Sequence, residues 1–316
     1  MFYIGVDLGG TNIAVGLVDE IGNIFSKNSV PTHREREYSE IIKDMATLIL
    51  DLINKEGLKI EDFQSIGVGS PGVPNCSEGE IVYASNIKFR NVPLRKELQK
   101  YINLPVYVNN DANVAAYAES VKGAAKGAKC AVAITLGTGI GSGIVVDGKI
   151  FSGFNNAASE LGHMVVEMDG EQCGCGRRGC WELYASATAC IRQTKKVASE
   201  NPQSLINKLV AGDLNKIDAK IAFDAAKRGD IAGQKIVDQY IKYIGEGLAN
   251  IVNIFQPEVI VIGGGVCKEG EFLLAPLRKH IEENTFAPSH NIKIAELKVA
   301  QMGNDAGIVG AAMLRE

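Results

Sequence analysis

Apolar residues recur along the chain at two different spacings, and this pattern predicts alternating strands and helices. Short apolar runs bounded by glycine, proline or polar residues are typical of buried strands. Two longer stretches, residues 38–53 and 236–255, carry apolar side chains three and four positions apart, which predicts amphipathic helices. Because strands and helices alternate, the predicted fold class is α/β. The predicted strands cover residues 2–7, 13–18, 66–69, 105–108 and 259–262, and two more helices start near Ala112 and after Asp305, the last one running to the chain end.

Two segments of the chain repeat the same order of strand, glycine turn and strand. Residues 132–147 (VAITLGTGIGSGIVVD) align without gaps with residues 4–19 (IGVDLGGTNIAVGLVD), so that Gly137 falls on Gly9. One such match could arise by chance. Since each segment stands near the start of one half of the chain, we expect two related folding units.

Length and composition narrow the class of protein. A chain of 316 residues exceeds the usual size of a single hydrophobic core, so two domains are expected. The net charge of −4 offers no basic surplus for a phosphate backbone, and we expect no nucleic-acid partner. The first residues show no basic segment ahead of an apolar stretch, and the longest uncharged run, residues 130–146, is rich in glycine. We therefore expect neither a signal peptide nor a membrane span, and a cytoplasmic location.

Both glycine turns carry groups that suit phosphate binding. Glycine lets backbone N–H groups approach an anion closely, threonine adds a hydroxyl donor, and a carboxylate at a strand end suits Mg²⁺ held through water. An ordinary hairpin is the alternative for each turn alone, but two such turns together favour a site that binds a triphosphate from both sides. The turns consist of Asp7, Gly9, Gly10 and Thr11 in the first segment and of Thr135, Gly137, Thr138, Gly139 and Gly141 in the second.

A second phosphate motif is only partly present. Residues 143–149 follow the spacing G-x-x-x-x-G-K of a P-loop, but Ile150 stands where that motif needs serine or threonine. The intervening residues are those of a strand, so Gly148 and Lys149 are predicted to form a hairpin turn.

A cluster of one histidine and three cysteines predicts a metal site. His163 is followed by Cys173, Cys175 and Cys180, and glycines between the cysteines would let the chain wrap tightly around an ion. Three thiolates and one imidazole form a closed tetrahedral set, which is typical of structural zinc. Buried, unligated thiols are the alternative. The spacing differs from that of a DNA-reading zinc finger.

Two further groups of polar residues are candidates for substrate binding. Asn110 and Asp111 follow a predicted strand, where α/β proteins place ligands, and Asp111 could accept a proton from a hydroxyl. Helix capping is the alternative for this pair. Glu160, His163 and Glu182 flank the metal motif, and their side chains can bind sugar hydroxyls, with solvated surface acids as the alternative.

Taken together, these motifs resemble the ROK family of sugar kinases and repressors. The resemblance spans nearly the whole chain in the family's order, and it adds Gly263, Gly264 and Gly265 to the motifs above. It implies a two-domain actin-like ATPase fold, also described as ribonuclease H-like, with an inter-domain cleft. The implied division places residues 1–118 and 301–316 in the smaller domain and residues 119–300 in the larger domain.

The resemblance also assigns roles to individual residues. Asp111 resembles the general base that takes a proton from the sugar hydroxyl. The sugar is implied to contact Gly72, Asn86, Asn110, Asp111, Glu160, His163 and Glu182. The nucleotide is implied to contact Asp7, Gly9, Gly10, Thr11, Asn12, Thr135, Gly137, Thr138 and Gly139, with Gly263, Gly264 and Gly265 near the adenosine. Family members are expected to use ATP with Mg²⁺, to hold structural Zn²⁺ and to form homodimers or homotetramers.

The identity of the acceptor stays open at this point. Glucose, giving glucose 6-phosphate, is the first hypothesis, and N-acetylmannosamine, N-acetylglucosamine, mannose, fructose and allose are alternatives within the family. A sugar-sensing repressor of the same family is a further alternative. Such repressors carry a DNA-binding segment before the kinase-like part, whereas the first phosphate motif of this sequence starts at Asp7.

Overall fold

The computed structural model describes residues 1–315 and divides the chain into two compact units. The first unit contains residues 1–133, residues 143–159 and the segment that starts at Ala300, and the second contains residues 134–142 and 160–299. The predicted domain limits, 1–118 with 301–316 and 119–300, stay a prediction. No helix within residues 1–315 is long and apolar enough to span a membrane.

Thirteen strands and ten α-helices make up the two units in the part of the chain that the structure describes. The strands are β1 (Phe2–Leu8), β2 (Asn12–Asp19), β3 (Ile24–Pro31), β4 (Phe63–Ser70), β5 (Val73–Asn75), β6 (Glu80–Ala84), β7 (Phe89–Val92), β8 (Val106–Asn110), β9 (Cys130–Leu136), β10 (Ile140–Val146), β11 (Lys149–Ile150), β12 (Val259–Gly263) and β13 (Glu296–Val299). The helices are α1 (Tyr38–Lys55), α2 (Leu94–Gln99), α3 (Asp111–Val121), α4 (Glu182–Ala185), α5 (Ala187–Glu200), α6 (Leu205–Leu209), α7 (Ile221–Lys227), α8 (Ile231–Phe255), α9 (Glu271–Asn284) and α10 (Ala306–Ala312).

Two five-stranded sheets share one topology. The first has the order β3-β2-β1-β4-β8 and the second has the order β11-β10-β9-β12-β13. In both sheets an opening hairpin is followed by a later strand that pairs with the first strand of the hairpin. This identity of order confirms the prediction of two related folding units. A separate three-stranded sheet, β5-β6-β7, was not predicted.

Strands β1, β4 and β8 run parallel, which brings their carboxyl ends to one edge of the first sheet. Asp7 is paired with Gly69, and Ser70 is paired with Asn110. Ligand-binding groups in α/β proteins gather at this edge. The register therefore places Asp7 and the residues after β8 where a site is expected.

Helices cover both faces of this sheet. The apolar side chains of α1 join those of β1, β2 and β4 in one core cluster, whereas α10 lies on the opposite face. Two paired glycines bring α10 against the strands. A Cβ on Gly5 would lie 1.9 Å from the carbonyl oxygen of Ile308, and one on Gly67 would lie 1.7 Å from that of Ala311. Any side chain at either position would push α10 away from the sheet.

The buried carboxylate of Glu119 in α3 binds the segment that precedes α10. Oε1 of Glu119 accepts backbone N–H groups of Gln301 and Met302, at 2.9 and 2.8 Å, and Oε2 accepts that of Ala124 at 2.8 Å. Only 3% of Glu119 is exposed. Three N–H donors compensate for much of the lost hydration of the carboxylate. Glu119 therefore fixes the segment that leads into α10.

Two local predictions differ from the structure. The hairpin turn after β10 is formed by Asp147 and Gly148, both with positive φ, whereas Lys149 already pairs with Val146 in β11. Two successive residues with positive φ give the hairpin turn whose twist matches the flanking strands. The final helix, α10, ends at Ala312 and does not run to the chain end.

Candidate active site

Two carboxylates lie near one another at the carboxyl edge of the first sheet. Asp7 is the penultimate residue of β1, and Asp111 is the first residue of α3. Burial, and after it the charge of Asp111, raise the pKa of Asp7 from 3.8 to about 6. A mutual repulsion of this kind is relieved by a cation. The pair therefore fits the predicted Mg²⁺ requirement.

The environment of Asp111 suits a proton acceptor. Its Oδ1 accepts the backbone N–H of Ala112 at 2.8 Å, and Oδ2 accepts no hydrogen bond from any of residues 1–315. Burial raises the pKa of Asp111, and the hydrogen bond from Ala112 offsets part of that effect. A carboxylate with a raised pKa and one unoccupied oxygen is a stronger base than a solvated aspartate.

Asn110 caps helix α3, which is the alternative role that the sequence offers for it. Its Oδ1 accepts the N–H groups of Ala112 and Asn113, at 2.9 and 3.2 Å, which caps α3. Its Nδ2 donates to the carbonyl of Gly72 at 3.0 Å. Nδ2 retains one further N–H, so capping and a sugar contact are compatible. Asn110 thus holds Gly72 beside the first residue of α3.

The first glycine turn uses one of its predicted phosphate donors internally. The N–H of Gly9 donates to the carbonyl of Asn12 at 2.9 Å, and the carbonyl of Gly9 accepts the hydroxyl of Thr32 at 2.6 Å. The N–H groups of Gly10 and Thr11 donate to no group among residues 1–315. These two amides, and not that of Gly9, are therefore the donors that could approach an anion.

Asn86 lies beside this turn. A Cβ on Gly10 would be 3.5 Å from the Cβ of Asn86, which is exposed in the connection between β6 and β7. The structure therefore gathers the candidates of the first unit at one edge. They are Asp7, Gly9, Gly10, Thr11, Asn12, Gly72, Asn86, Asn110 and Asp111.

In the second glycine turn, as in the first, the N–H and the carbonyl of the leading glycine are both occupied, but by groups at different positions. The N–H of Gly137 donates to the carbonyl of Gly139 at 3.0 Å, and the carbonyl of Gly137 accepts the first N–H of α5, from Ala187, at 3.0 Å. Thr135 and Thr138 are exposed. The glycines at the end of β12 approach the same turn, since a Cβ on Gly264 would lie 2.3 Å from the carbonyl oxygen of Leu136. Gly263 and Gly265 flank this contact.

His163 and the three cysteines form a compact cluster in the second unit. Their ligand atoms all lie within 4.8 Å of one another. Nδ1 of His163 is 3.7 Å from Sγ of Cys173, and the Sγ atoms of Cys175 and Cys180 are 3.6 Å apart. Ligands placed about 2.3 Å from a tetrahedral zinc ion would be separated by about 3.8 Å. The four residues therefore fit structural zinc, and Nε2 of His163 remains for another contact.

The turn that carries Glu160 and His163 is fixed to β10. The N–H of Leu161 donates to the hydroxyl of Ser142 at 3.0 Å, and a Cβ on Gly162 would lie 2.4 Å from the carbonyl oxygen of Ile140. Glu160 is exposed at the start of this turn. Its carboxylate is therefore carried by a backbone that β10 holds in place.

Glu182 lies between the cysteine cluster and the second glycine turn. Its Oε1 is 3.3 Å from Sγ of Cys173 and 3.6 Å from Nδ1 of His163. Its Oε2 lies 2.5 Å from the position that a Cβ on Gly139 would take. Glu182 therefore occupies space that is open only because residue 139 has no side chain.

Sequence reasoning missed residues that act through contacts with distant segments. Thr32 holds the first glycine turn through its hydroxyl. Gly307 of α10 leaves room for Asp7, because a Cβ on Gly307 would lie 2.4 Å from Oδ2 of Asp7. Trp181, fully buried beside Glu182, was also missed. Its position next to the cysteine motif was the one signal available in the sequence.

Comparison with known proteins agrees with the fold and the motifs. The ROK family model matches residues 3–316. The glucokinase of Halalkalibacterium halodurans is 39% identical over 99% of this chain and 94% of its own length. The xylose repressor of Caldicellulosiruptor bescii is 31% identical over 97% of this chain but only 76% of its own length.

A solved structure gives the same result for the fold. A ROK family glucokinase from Streptomyces griseus, in complex with glucose and AMPPNP, matches with a TM-score of 0.80 and 36% identity, covering 99% of this chain and 98% of that one. This likeness and the two equivalent sheets confirm the predicted two-domain α/β fold of the actin-like, ribonuclease H-like class. Because the family model and the relatives extend over almost all of the sequence, the chain belongs to the ROK family.

Proposed function

We propose that this protein is an ATP-dependent hexose kinase that converts glucose to glucose 6-phosphate. The observation that carries the proposal is the full-length similarity to curated glucokinases, at 37–39% identity over 98–99% of this chain. The S. griseus complex with glucose and AMPPNP supports the same pair of substrates. The carboxylate of Asp111, buried and with one oxygen unoccupied, supplies the base that such a reaction needs.

Asp111 acts in this proposal as the general base. Its Oδ2 accepts the proton of the sugar hydroxyl as that oxygen attacks the γ-phosphorus of ATP, and the bond from phosphorus to the ADP oxygen breaks. Position at the first turn of α3 favours the ionised carboxylate, whereas burial favours the protonated one. The net effect is a pKa above the ordinary value, so the carboxylate of Asp111 is a stronger base than that of a solvated aspartate.

The other candidates bind and orient the two substrates. We propose that the sugar hydroxyls are held by Asn110, Glu160, Glu182 and Nε2 of His163, with Gly72 and Asn86 nearby. The phosphates lie against the amides of Gly10 and Thr11, Asn12, and the turn from Thr135 to Gly139, and the adenosine lies near Gly263, Gly264 and Gly265. Bound Mg²⁺ supplies positive charge for the phosphates, and Asp7 is the residue that would hold it through water.

The cysteine cluster has a structural role in this proposal. His163, Cys173, Cys175 and Cys180 would hold Zn²⁺ and so fix the segment between Glu160 and Glu182. Thiolate ligands and the use of ATP both favour a cytoplasmic location. The family resemblance favours a homodimer or a homotetramer, which light scattering would measure.

The function is tested by an ADP-release assay with MgATP over a panel of hexoses and N-acetylhexosamines. We expect selective turnover of glucose. Turnover of N-acetylmannosamine or of another hexose instead of glucose would contradict glucose as the acceptor, and the assignment as a sugar kinase would stand. Binding of a sugar without turnover of any panel member would contradict the kinase and favour the repressor alternative.

Replacing the proposed base should separate binding from turnover. Asp111→Asn keeps an oxygen that can accept the N–H of Ala112, so we expect the sugar Kd to stay within about threefold while kcat falls by roughly 10²–10⁴. Calorimetry measures the first quantity and the ADP-release assay the second. Asp51→Asn, an exposed change on α1, is the matched control. Wild-type kcat in Asp111→Asn would contradict the assignment.

Removing the charge of Asp7 should stabilise the unliganded protein. A pKa raised from 3.8 to about 6 means that ionisation is unfavourable in the folded state, by at most about 3 kcal/mol above pH 6. We expect Asp7→Asn to raise Tm at neutral pH, and this gain to shrink as pH falls through about 6 and to vanish near 4. Thermal unfolding at several pH values measures this. A gain that is independent of pH would contradict the explanation.

Zinc binding is tested by metal analysis. The native protein should contain about one zinc ion per chain, and Cys175→Ala should lose both zinc and several degrees of Tm, because metal-binding energy is partly folding energy. Cys76→Ala, which removes a cysteine outside the cluster, is the matched control and should keep the metal. Native protein that is folded and free of zinc would contradict the proposal.

A further inference from the structure

Trp181 connects the cysteine cluster to the core of the second unit. It stands between Cys180 and Glu182 in the sequence and is fully buried. Its Nε1 donates to the carbonyl of Tyr243 in α8 at 2.6 Å. The same end of the indole packs against Gly247 of α8, where a Cβ would lie 2.0 Å from Cε2 of Trp181. We call this gap in the surface of α8 the notch at Gly247.

The contacts of Trp181 determine its position closely. The indole meets α8 through one directed hydrogen bond and through one notch that admits no extra atom. The backbone N–H of Trp181 also donates to the carbonyl of Met164 at 2.7 Å. A side chain held by packing and by a hydrogen bond at the same time has little freedom to shift. The backbone on either side of Trp181 is therefore positioned by α8.

Glu182 is the residue most sensitive to this position. Its carboxylate lies within 3.6 Å of Nδ1 of His163 and against Gly139, so a small displacement of its backbone would change both contacts. Misplacement of a binding group by about 1 Å can lower the efficiency of an enzyme by about a hundredfold. The fit of Trp181 against α8 thus bears directly on where the Glu182 carboxylate lies.

We propose that Trp181 is a positioning residue that sets the Glu182 carboxylate for sugar binding through its fit into the notch at Gly247. The proposal rests on the proposed function, in which Glu182 binds the sugar. It differs from a simple packing role, because packing alone would affect stability and leave the affinity for sugar unchanged.

Helix α8 offers a matched pair of glycines for the test. A Cβ on Gly245 would lie 2.5 Å from the ring of His280 in α9, whereas one on Gly247 meets Trp181. Gly247→Ala and Gly245→Ala therefore make the same change in the same helix and disturb different neighbours. Both gain the same helix propensity, so propensity cancels in the comparison.

The sugar affinity of three variants tests the proposal. We expect Trp181→Phe, which removes the Nε1 donor, and Gly247→Ala to raise the Kd and KM for glucose about tenfold or more. The KM for ATP should stay within about twofold, and zinc content should match the wild type. Gly245→Ala should lower Tm and leave the Kd for glucose unchanged. An equal loss of affinity in Gly245→Ala, or an unchanged Kd in the other two variants, would overturn the proposal.

Fluorescence of the native protein supplies a test that needs no variant. Trp181 is the only tryptophan of the chain. Glucose bound beside Glu182 should therefore change the emission along a saturable curve whose midpoint equals the calorimetric Kd. Calorimetric binding of glucose with no change in emission would overturn the proposal. If calorimetry detects no binding of any panel sugar, the proposed function itself fails.

Discussion

Close approach at positions without a side chain is the constraint on which both units depend. Gly5 and Gly67 let α10 lie directly on the first sheet, and Gly264 lets the loop after β12 reach the end of β9. At each of these positions the backbone carbonyl of the partner lies within 2.3 Å of where a Cβ would be. No side chain could be accommodated there without moving a whole element. The glycines therefore set distances between elements, and those distances decide where the polar groups of the site lie.

At the carboxyl edge of the first sheet, this close packing brings two buried carboxylates near one another. Asp7 is enclosed by the close packing of α10, and Asp111 begins the helix that follows β8, which is separated from β1 by β4 alone. Two buried carboxylates near one another are unfavourable for the unliganded fold. Proteins retain such strain where it serves binding or catalysis, and stability is lost in exchange. The arrangement is readily explained if a cation and a polyphosphate are the natural occupants of this edge.

Much of the fold could be predicted from the sequence, because its periodic features are local. The apolar spacing of α1 and α8 and the gapless alignment of residues 132–147 with residues 4–19 are visible without coordinates. The sheet β5-β6-β7 was missed because its strands are short and partly exposed, so no clear alternation marks them. The hairpin turn was predicted at Gly148 and Lys149, one residue after its actual position at Asp147 and Gly148. Residue type alone does not show that Asp147 adopts a positive φ.

The sequence motifs name the candidate residues of the site, but they do not show the hydrogen bonds among those residues. The cysteine cluster followed from residue type and spacing, since thiolates at close spacing have few other uses. The occupied carbonyl of Gly9 and the contact of Trp181 with α8 could not be predicted, because Thr32 and Gly247 make these contacts from distant parts of the chain. Which of two adjacent amides donates to its own turn depends on backbone geometry, and a motif does not encode it.

The place of α10 in the chain has a consequence for synthesis on the ribosome. All strands of the first sheet precede the second unit in the chain, whereas α10, which covers Gly5 of β1 and Gly67 of β4, follows it. Likewise, Oε1 of Glu119 can accept the N–H groups of Gln301 and Met302 only after these two residues have been synthesised. The nascent first unit therefore emerges with one sheet face open while the second unit can already fold. The first unit can thus be completed only after the whole of the second unit has been synthesised.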